Sequence, residues 1–460
     1  MSKSNGNSQE SSPGPNTITT LSVAGFKSIS DEQTIDVRPL TLLAGANSSG
    51  KSSMMQPLLL LKQTLHAQYD PGPLLLNGPN AKFTSVSQFW PLHSSTGHSK
   101  QFVITVGASS KAKIGLAFNW NKKQKQLGIQ YTLYYLNVNK FKLSERTLIN
   151  DAISFLRDRL KPHPEAAKLY EHQLERSQSE IRRSRSFLEI VYLPKELPPS
   201  SEGFSLPSVF SPRSQAFEGI VNRIMEVVHL PGLRGNPERT YPVTAVGQTF
   251  PGTFENYVAS LIAHWNSESP EKIKDLSDDL RLLGLTWKIE AKRVADTQVE
   301  IQVGRMPRPK QGGARDLVSI ADMGLGVSQT LPVVVALRVA RPGELVYIEQ
   351  PEIHLHPRAQ VAMARLLVNA ATRGVRVVAE THSSLILLAV QTLVAEGVIA
   401  PELVGLNWFI RNQKTGTTRI ESAELDGAGR FGDWPEEFDE VALKTESRYL
   451  SAAEAQLAGS

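Results

Sequence analysis

Eight residues near the start of the chain, Gly45-Ala46-Asn47-Ser48-Ser49-Gly50-Lys51-Ser52, constrain its fold more than any other stretch. They fit the pattern G-x-x-x-x-G-K-[ST], which requires a strand to feed the loop and a helix to leave it. The flanks comply. Leu40-Thr41-Leu42-Leu43-Ala44 is an apolar run of strand length, and from Lys51 onward the sequence reads as a helix. Such a loop turns backbone N–H groups toward a phosphate at the positive end of the helix dipole. Lys51 is then expected to reach the β- and γ-phosphates and Ser52 to complete the coordination of magnesium. Gly45, Asn47, Ser48, Ser49, Gly50 and Ser53 make up the rest of the cradle. The chain is read as binding a nucleoside triphosphate.

A second apolar run, Leu345-Val346-Tyr347-Ile348-Glu349, ends in a carboxylate, the form of a buried strand that delivers an acid beside magnesium. Gln350-Pro351-Glu352-Ile353-His354-Leu355-His356-Pro357 leaves it, and Pro357 suits the first position of a helix predicted to reach about Thr372 and stop at Gly374. A further strand, Val375–Ala379, ends in Glu380-Thr381-His382-Ser383, which places His382 where a histidine sensing the γ-phosphate would stand. About 300 residues separate Lys51 from Glu349, so the site must be assembled from both ends of the chain. Gln88 is a candidate magnesium-touching glutamine, with a plain surface residue as the alternative. His354, His356 and His382 lack a facing carboxylate at ligand spacing, which argues against zinc.

Between these halves, alternating apolar residues in Phe102–Val106, Ile114–Trp120 and Ile129–Leu136 predict an antiparallel meander. Leu143–Val191, rich in Glu, Arg, Lys and Leu and interrupted at Pro162 and Pro164, predicts a helical insertion, and Pro194–Pro212 a linker. Helices are predicted over Ala216–Val228, Phe254–Trp265 and Glu271–Leu282, then strands over Trp287–Lys292 and Gln298–Val303. The expected division is a disordered tail (1–16), an N-terminal lobe with the phosphate loop (17–140), a helical insertion with linker (141–215), a second lobe (216–400), and a C-terminal strand with docking tail (401–460).

Composition narrows the class. No apolar stretch has the roughly 18 residues a membrane helix needs, and the Ser/Asn/Gly/Pro-rich start has no signal-peptide core. The absence of cysteine excludes disulfides and thiolate metal sites. A cytoplasmic protein without membrane attachment is expected. A net charge of +5 permits nucleic-acid contact, through Arg182-Arg183-Ser184-Arg185 or the stretch with Arg305, Arg308, Lys310 and Arg315, without implying it.

With these residues in view, the chain resembles ABC/SMC-like ATPases, in the branch grouped with the ATPase halves of OLD-family nucleases and with AAA-type ATPases that carry a terminal Gly-Asp-Trp-Pro element. That element is Gly432-Asp433-Trp434-Pro435 here. The resemblance implies an α/β P-loop ATPase head with a mixed sheet and an inserted helical subdomain, using ATP and magnesium. It implies a head-to-head homodimer in which Asp322–Gln329 stands for the ABC signature, Gly326 and Ser328 reaching the γ-phosphate on the opposite subunit. Two positions depart from the pattern. The signature lacks its Ser-Gly-Gly order, and Gln350 stands where such ATPases place the glutamate that activates water. An amide cannot accept a proton at neutral pH, so Glu352 or His356 substitutes or hydrolysis is slow; slow hydrolysis is the favoured reading. The resemblance further implies antiphage defence of the Septu, PARIS or retron-associated kind, with a separate nuclease effector. The alternative is a RecF/SMC-like repair ATPase that clamps DNA. A transporter subunit fits neither the insertion nor the terminal element.

Overall fold

The computed structural model describes residues 16–91, 100–109, 111–121, 123, 125–136, 139–160, 164–194, 215–244, 247–305, 316–432 and 447–448. The N-terminal tail, the 195–212 linker, Arg308, Lys310, Arg315 and the terminal Asp433, Trp434, Pro435 and Phe438 lie outside these residues.

β1 (Ile18–Ala24) and β2 (Gln33–Asp36) pair antiparallel, β3 (Leu40–Gly45) feeds the glycine loop, and α1 (Lys51–His66) leaves it. β4 (Gln101–Ala108), β5 (Ala112–Asn121), β6 (Gln126–Leu136) and β7 (Asn139–Leu143) are the expected meander. They join the first hairpin in an antiparallel sheet of order β2-β1-β4-β5-β6-β7.

The insertion is only half helical. α2 (Ile149–Leu160) and α3 (Pro164–Arg176) are followed by a hairpin, β8 (Ser177–Ser184) and β9 (Phe187–Pro194), where the sequence had predicted continued helix. Tertiary contact overrides local preference here. Phe187, Leu188 and Ile190 are buried, and the Leu188 backbone is tied to β6 by the Thr132 and Tyr134 hydroxyls. The basic run is absorbed into structure: Arg183 pairs with Asp70 at 2.7 Å, and Arg185 donates to carbonyls at the end of α1, where cations complement the helix dipole.

α4 (Gln215–Met225) ends early, and a three-residue strand that the sequence reading missed, β10 (Val228–Leu230), follows. β11 (Tyr241–Pro242), α5 (Val258–Glu268), α6 (Pro270–Leu282), β12 (Ile289–Ala295), β13 (Gln298–Gly304) and β14 (Leu317–Ser319) make a small sheet with two helices. The chain then alternates through α7 (Leu325–Val339), β15 (Leu345–Glu349), α8 (Pro357–Thr372), β16 (Arg376–Thr381), α9 (Ser384–Ala395), β17 (Val404–Arg411) and β18 (Thr418–Ala423).

The central sheet runs β10-β15-β16-β3-β17-β18, parallel except for the last strand. It is covered on both sides, as its apolar runs require. Leu40, Leu42 and Ala44 join a core with α5 to α9, whereas Leu43 points to the other core, with α1 and the antiparallel sheet. The fold is therefore the expected α/β class with a mixed sheet. Among the described residues no helix is long and apolar enough to cross a membrane.

This strand order closes the sequence gap. β16 lies between β3 and β15, with Glu349 opposite Glu380, Glu380 opposite Leu43 and Thr381 opposite Ala44. The carboxyl ends of all three strands meet at one edge, where ligands of open α/β sheets bind.

Candidate nucleotide-binding site

At that edge lies a cavity of about 860 Å³, lined by Asn47, Ser48, Ser49, Gly50, Lys51, Ser52 and Ser53 on one wall and by Glu349, Gln350, Glu380 and His382 on another. The loop backbone is held in conformations that suit little but this turn. Gly50 has φ 106°, and a Cβ there would strike Thr418 Oγ1 at 2.4 Å; Ser48 is left-handed at φ 60°. Lys51 Nζ donates to the carbonyls of Gly45 (3.0 Å) and Ala46 (2.8 Å). Burial lowers its pKa, opposed by the charges of Glu380 and Glu352. Ser49 Oγ is buried with no hydrogen-bond partner, an orphaned donor inside the cradle.

Two carboxylates face this wall. Glu349 is held below the ordinary range: burial pushes it up, but His229, the Gly232 N–H and Arg234 outweigh that. Glu380 was passed over as a site residue in the sequence. It accepts from Ser52 Oγ at 2.9 Å and from the buried Tyr347 hydroxyl, and burial together with the Glu349 charge pushes it up to about 7. His382 bonds the Gly45 backbone, and burial and Lys51 lower its pKa, so the ring is kept neutral. The His382 backbone N–H donates to Glu352 Oε1 at 2.7 Å.

The other expected residues are placed as follows. Gln350 lines the cavity with a left-handed backbone at φ 48°, strain of the kind that gathers at functional sites. Glu352 is outside the cavity lining, behind His382. Gln88 lines the cavity, but its Oε1 accepts from Thr84 N at 3.2 Å. His356 caps α8 by accepting from Arg358 N. Gly326 and Ser328 sit in the first turn of α7, away from the cavity, both half-buried. Arg239 makes a surface ion pair with Asp322 at 2.8 Å. Arg234 does not lie at the surface. It is buried, donating to the Glu349 carbonyl at 2.7 Å and the Gln329 carbonyl at 3.0 Å.

The donors fit a magnesium nucleotide. The Ser52 hydroxyl and the two carboxylates are hard oxygen ligands, and no group of three His, Cys, Asp or Glu among the described residues could hold a metal unaided. Magnesium needs only one or two protein carboxylates when phosphates and water supply the rest. The orphaned Ser49 hydroxyl fits a phosphate oxygen.

Glu380 gives this site a pH signature. Its folded value, about 7, lies above the ordinary 4.5, so between the two the folded chain holds a proton that the unfolded chain has released. Stability from this group is complete below the lower value and is lost as pH rises through the upper one. Without nucleotide, the melting temperature should fall as pH rises across this window, and Glu380→Gln should flatten the slope in a fluorimetric melt. An unchanged slope in the variant would refute the assignment.

The family described as AAA ATPase domain matches residues 17–387. No curated protein matches the chain. Among solved structures it is similar to the SmcHead bound to the C-winged helix domain of ScpA, at 12% identity and TM-score 0.44, covering 90% of this chain and 99% of that one. It is similar to the SMC head domain from Thermotoga maritima at 11% identity and TM-score 0.37, covering 88% and 98%. A third, the Smc head domain with an extended coiled coil bound to the C-terminal domain of ScpA derived from Pyrococcus furiosus, shows 12% identity and TM-score 0.42, covering 94% and 99%.

Proposed function

The chain belongs to the AAA ATPase domain family, and from that premise we propose that it is a slow ATP-dependent switch serving a separate nuclease effector in antiphage defence. One observation carries the slow-switch reading: the cavity wall offers Gln350, not a carboxylate, beside Glu349. Lys51, Ser52 and the loop N–H groups bind the phosphates, Ser52 and Glu349 hold magnesium, and the neutral His382 ring reports the γ-phosphate. Magnesium, when bound, neutralises charge on the phosphates and brings Glu349 and Glu380 into balance. Without an efficient base the ATP-bound state persists. That state is a homodimer, completed by the first turn of α7 of each copy, which carries Ser328 and the exposed Leu325.

The defence role rests on the resemblance carried by the signature-like segment and the terminal Gly-Asp-Trp-Pro element. The expected result is turnover well below about 10 per second, the ordinary enzyme median, with ATP and magnesium shifting the protein to a dimer in analytical ultracentrifugation. It should also co-purify with a nuclease encoded beside it. Fast turnover, or a monomer with ATP, would refute the switch. Duplex DNA bound by the chain alone with a steep salt slope would transfer the case to the DNA-clamping reading.

A further inference from the structure

The Glu349 carboxylate is held by one short segment. His229 Nε2 lies 3.2 Å from Oε1, the Gly232 N–H donates to Oε2 at 3.1 Å, and Arg234 donates to the Glu349 carbonyl at 2.7 Å. With both oxygens engaged from one side, the carboxylate cannot rotate freely. We propose that residues 229–235 form a positioning strap for Glu349, in which Asn80 keeps His229 in the single tautomer that donates to the carboxylate. This rests on the reading of Glu349 as the magnesium carboxylate.

The direction of the hydrogen bonds fixes the tautomer. Asn80 Nδ2 lies 2.8 Å from the Gly252 carbonyl, which can only accept, so that atom is the amide nitrogen. The same nitrogen is 3.2 Å from His229 Nδ1, which must therefore present a lone pair. The ring proton is on Nε2, facing Glu349. The ring cannot tilt away, because it is buried and stacked on Tyr347 with centroids 5.4 Å apart and planes 9° apart.

The relay is anchored at both ends. Gly252 and Phe250 present carbonyls to Lys62 Nζ at 2.9 and 2.7 Å, and Lys62 is buried in α1, the helix that begins with Lys51. At the other end Arg234 bonds the Gln329 carbonyl, and Gln329 Nε2 returns a bond to the Gly235 carbonyl at 3.0 Å. The strap thus ties the carboxylate to α7, whose first turn carries Ser328.

The test uses the full chain with ADP as probe. Nitrogen-15 spectra of histidine-labelled protein, assigned by the signal lost in His229→Gln, should show His229 protonated on Nε2 alone, and Asn80→Ala should lose that single-tautomer signature. In calorimetry, His229→Phe should leave ADP affinity in EDTA unchanged and raise the magnesium concentration for half-saturation by about tenfold, the lower end of effects seen for residues that orient metal ligands. His229→Gln, whose amide N–H reaches the Nε2 position, should recover most of this. Wild-type His229 protonated on Nδ1, or a glutamine variant no better than phenylalanine, would overturn the strap. Glu349→Gln separates the two readings. If it leaves the magnesium requirement unchanged, the reading of Glu349 falls; if it raises it and His229→Phe does not, only the strap falls.

Discussion

Lys51→Ala is expected to lower ATP affinity by about two to three orders of magnitude in calorimetry while the fold survives. In the free protein the ammonium rests on two neutral carbonyls, of Gly45 and Ala46, in a site where burial already disfavours its charge. A triphosphate replaces those weak acceptors with anionic oxygens, and each charge-assisted hydrogen bond contributes on the order of 1.5–3 kcal/mol. Two of them correspond to about 10²- to 10⁴-fold in affinity, reduced by the bonds to carbonyls that are given up. The variant also leaves Glu380 and Glu352 without the cation whose charge they share. Its stability without nucleotide should therefore depend more steeply on pH than that of the wild type. Lys51→Met keeps the aliphatic stem and separates lost packing from lost charge. Near-normal ATP binding by a folded methionine variant would remove this loop from the site.

Much of this arrangement was legible because the motif dictates its own context. A strand had to precede Gly45 and a helix had to follow Gly50, and the apolar run at Leu40 left one place for the strand. The convergence of Glu349 and His382 on Lys51 followed from two further buried strands. What was missed is what strand register alone reveals. Glu380 ends the predicted strand Val375–Ala379 just as Glu349 ends Leu345–Ile348, and that repeated form was the available signal. Its pairing opposite Glu349 and its bond to Ser52 needed three dimensions. β10 hid at the end of an amphipathic helix because three residues carry no periodicity, and His229 was hidden with it. Nothing local marks the buried Arg234, an arginine whose acceptors are carbonyls about a hundred residues away. The β8–β9 hairpin was misread for a related reason, since its Glu- and Arg-rich sequence favours helix until packing on β6, through the Thr132 and Tyr134 hydroxyls, fixes it.

Gln350→Glu is expected to raise ATP turnover by about 10²- to 10⁴-fold, the usual contribution of a positioned general base. The side chains are nearly identical in size, so the left-handed backbone at φ 48° and the bond from the Gln350 N–H to the Glu380 carbonyl at 2.9 Å should persist. The chemistry changes because a carboxylate accepts a proton where an amide does not. Its surroundings favour that role: Glu349 and Glu380 repel the new charge and raise its basicity, whereas the buried Arg234 guanidinium behind it prevents full protonation. The same repulsion sets a condition. Three carboxylates without a cation destabilise the site, so the variant should melt below the wild type in EDTA, and most of that difference should vanish with magnesium and ADP. The ATP-bound dimer should also become short-lived, its dissociation following the new hydrolysis rate. If turnover instead stays at the wild-type level while magnesium still restores stability, water is not activated at this position. Glu352 would not inherit the task easily, since its Oε1 is occupied by the His382 N–H and it stands outside the cavity lining. The base would then have to come from the second copy, and turnover per chain would rise with protein concentration as the dimer fills.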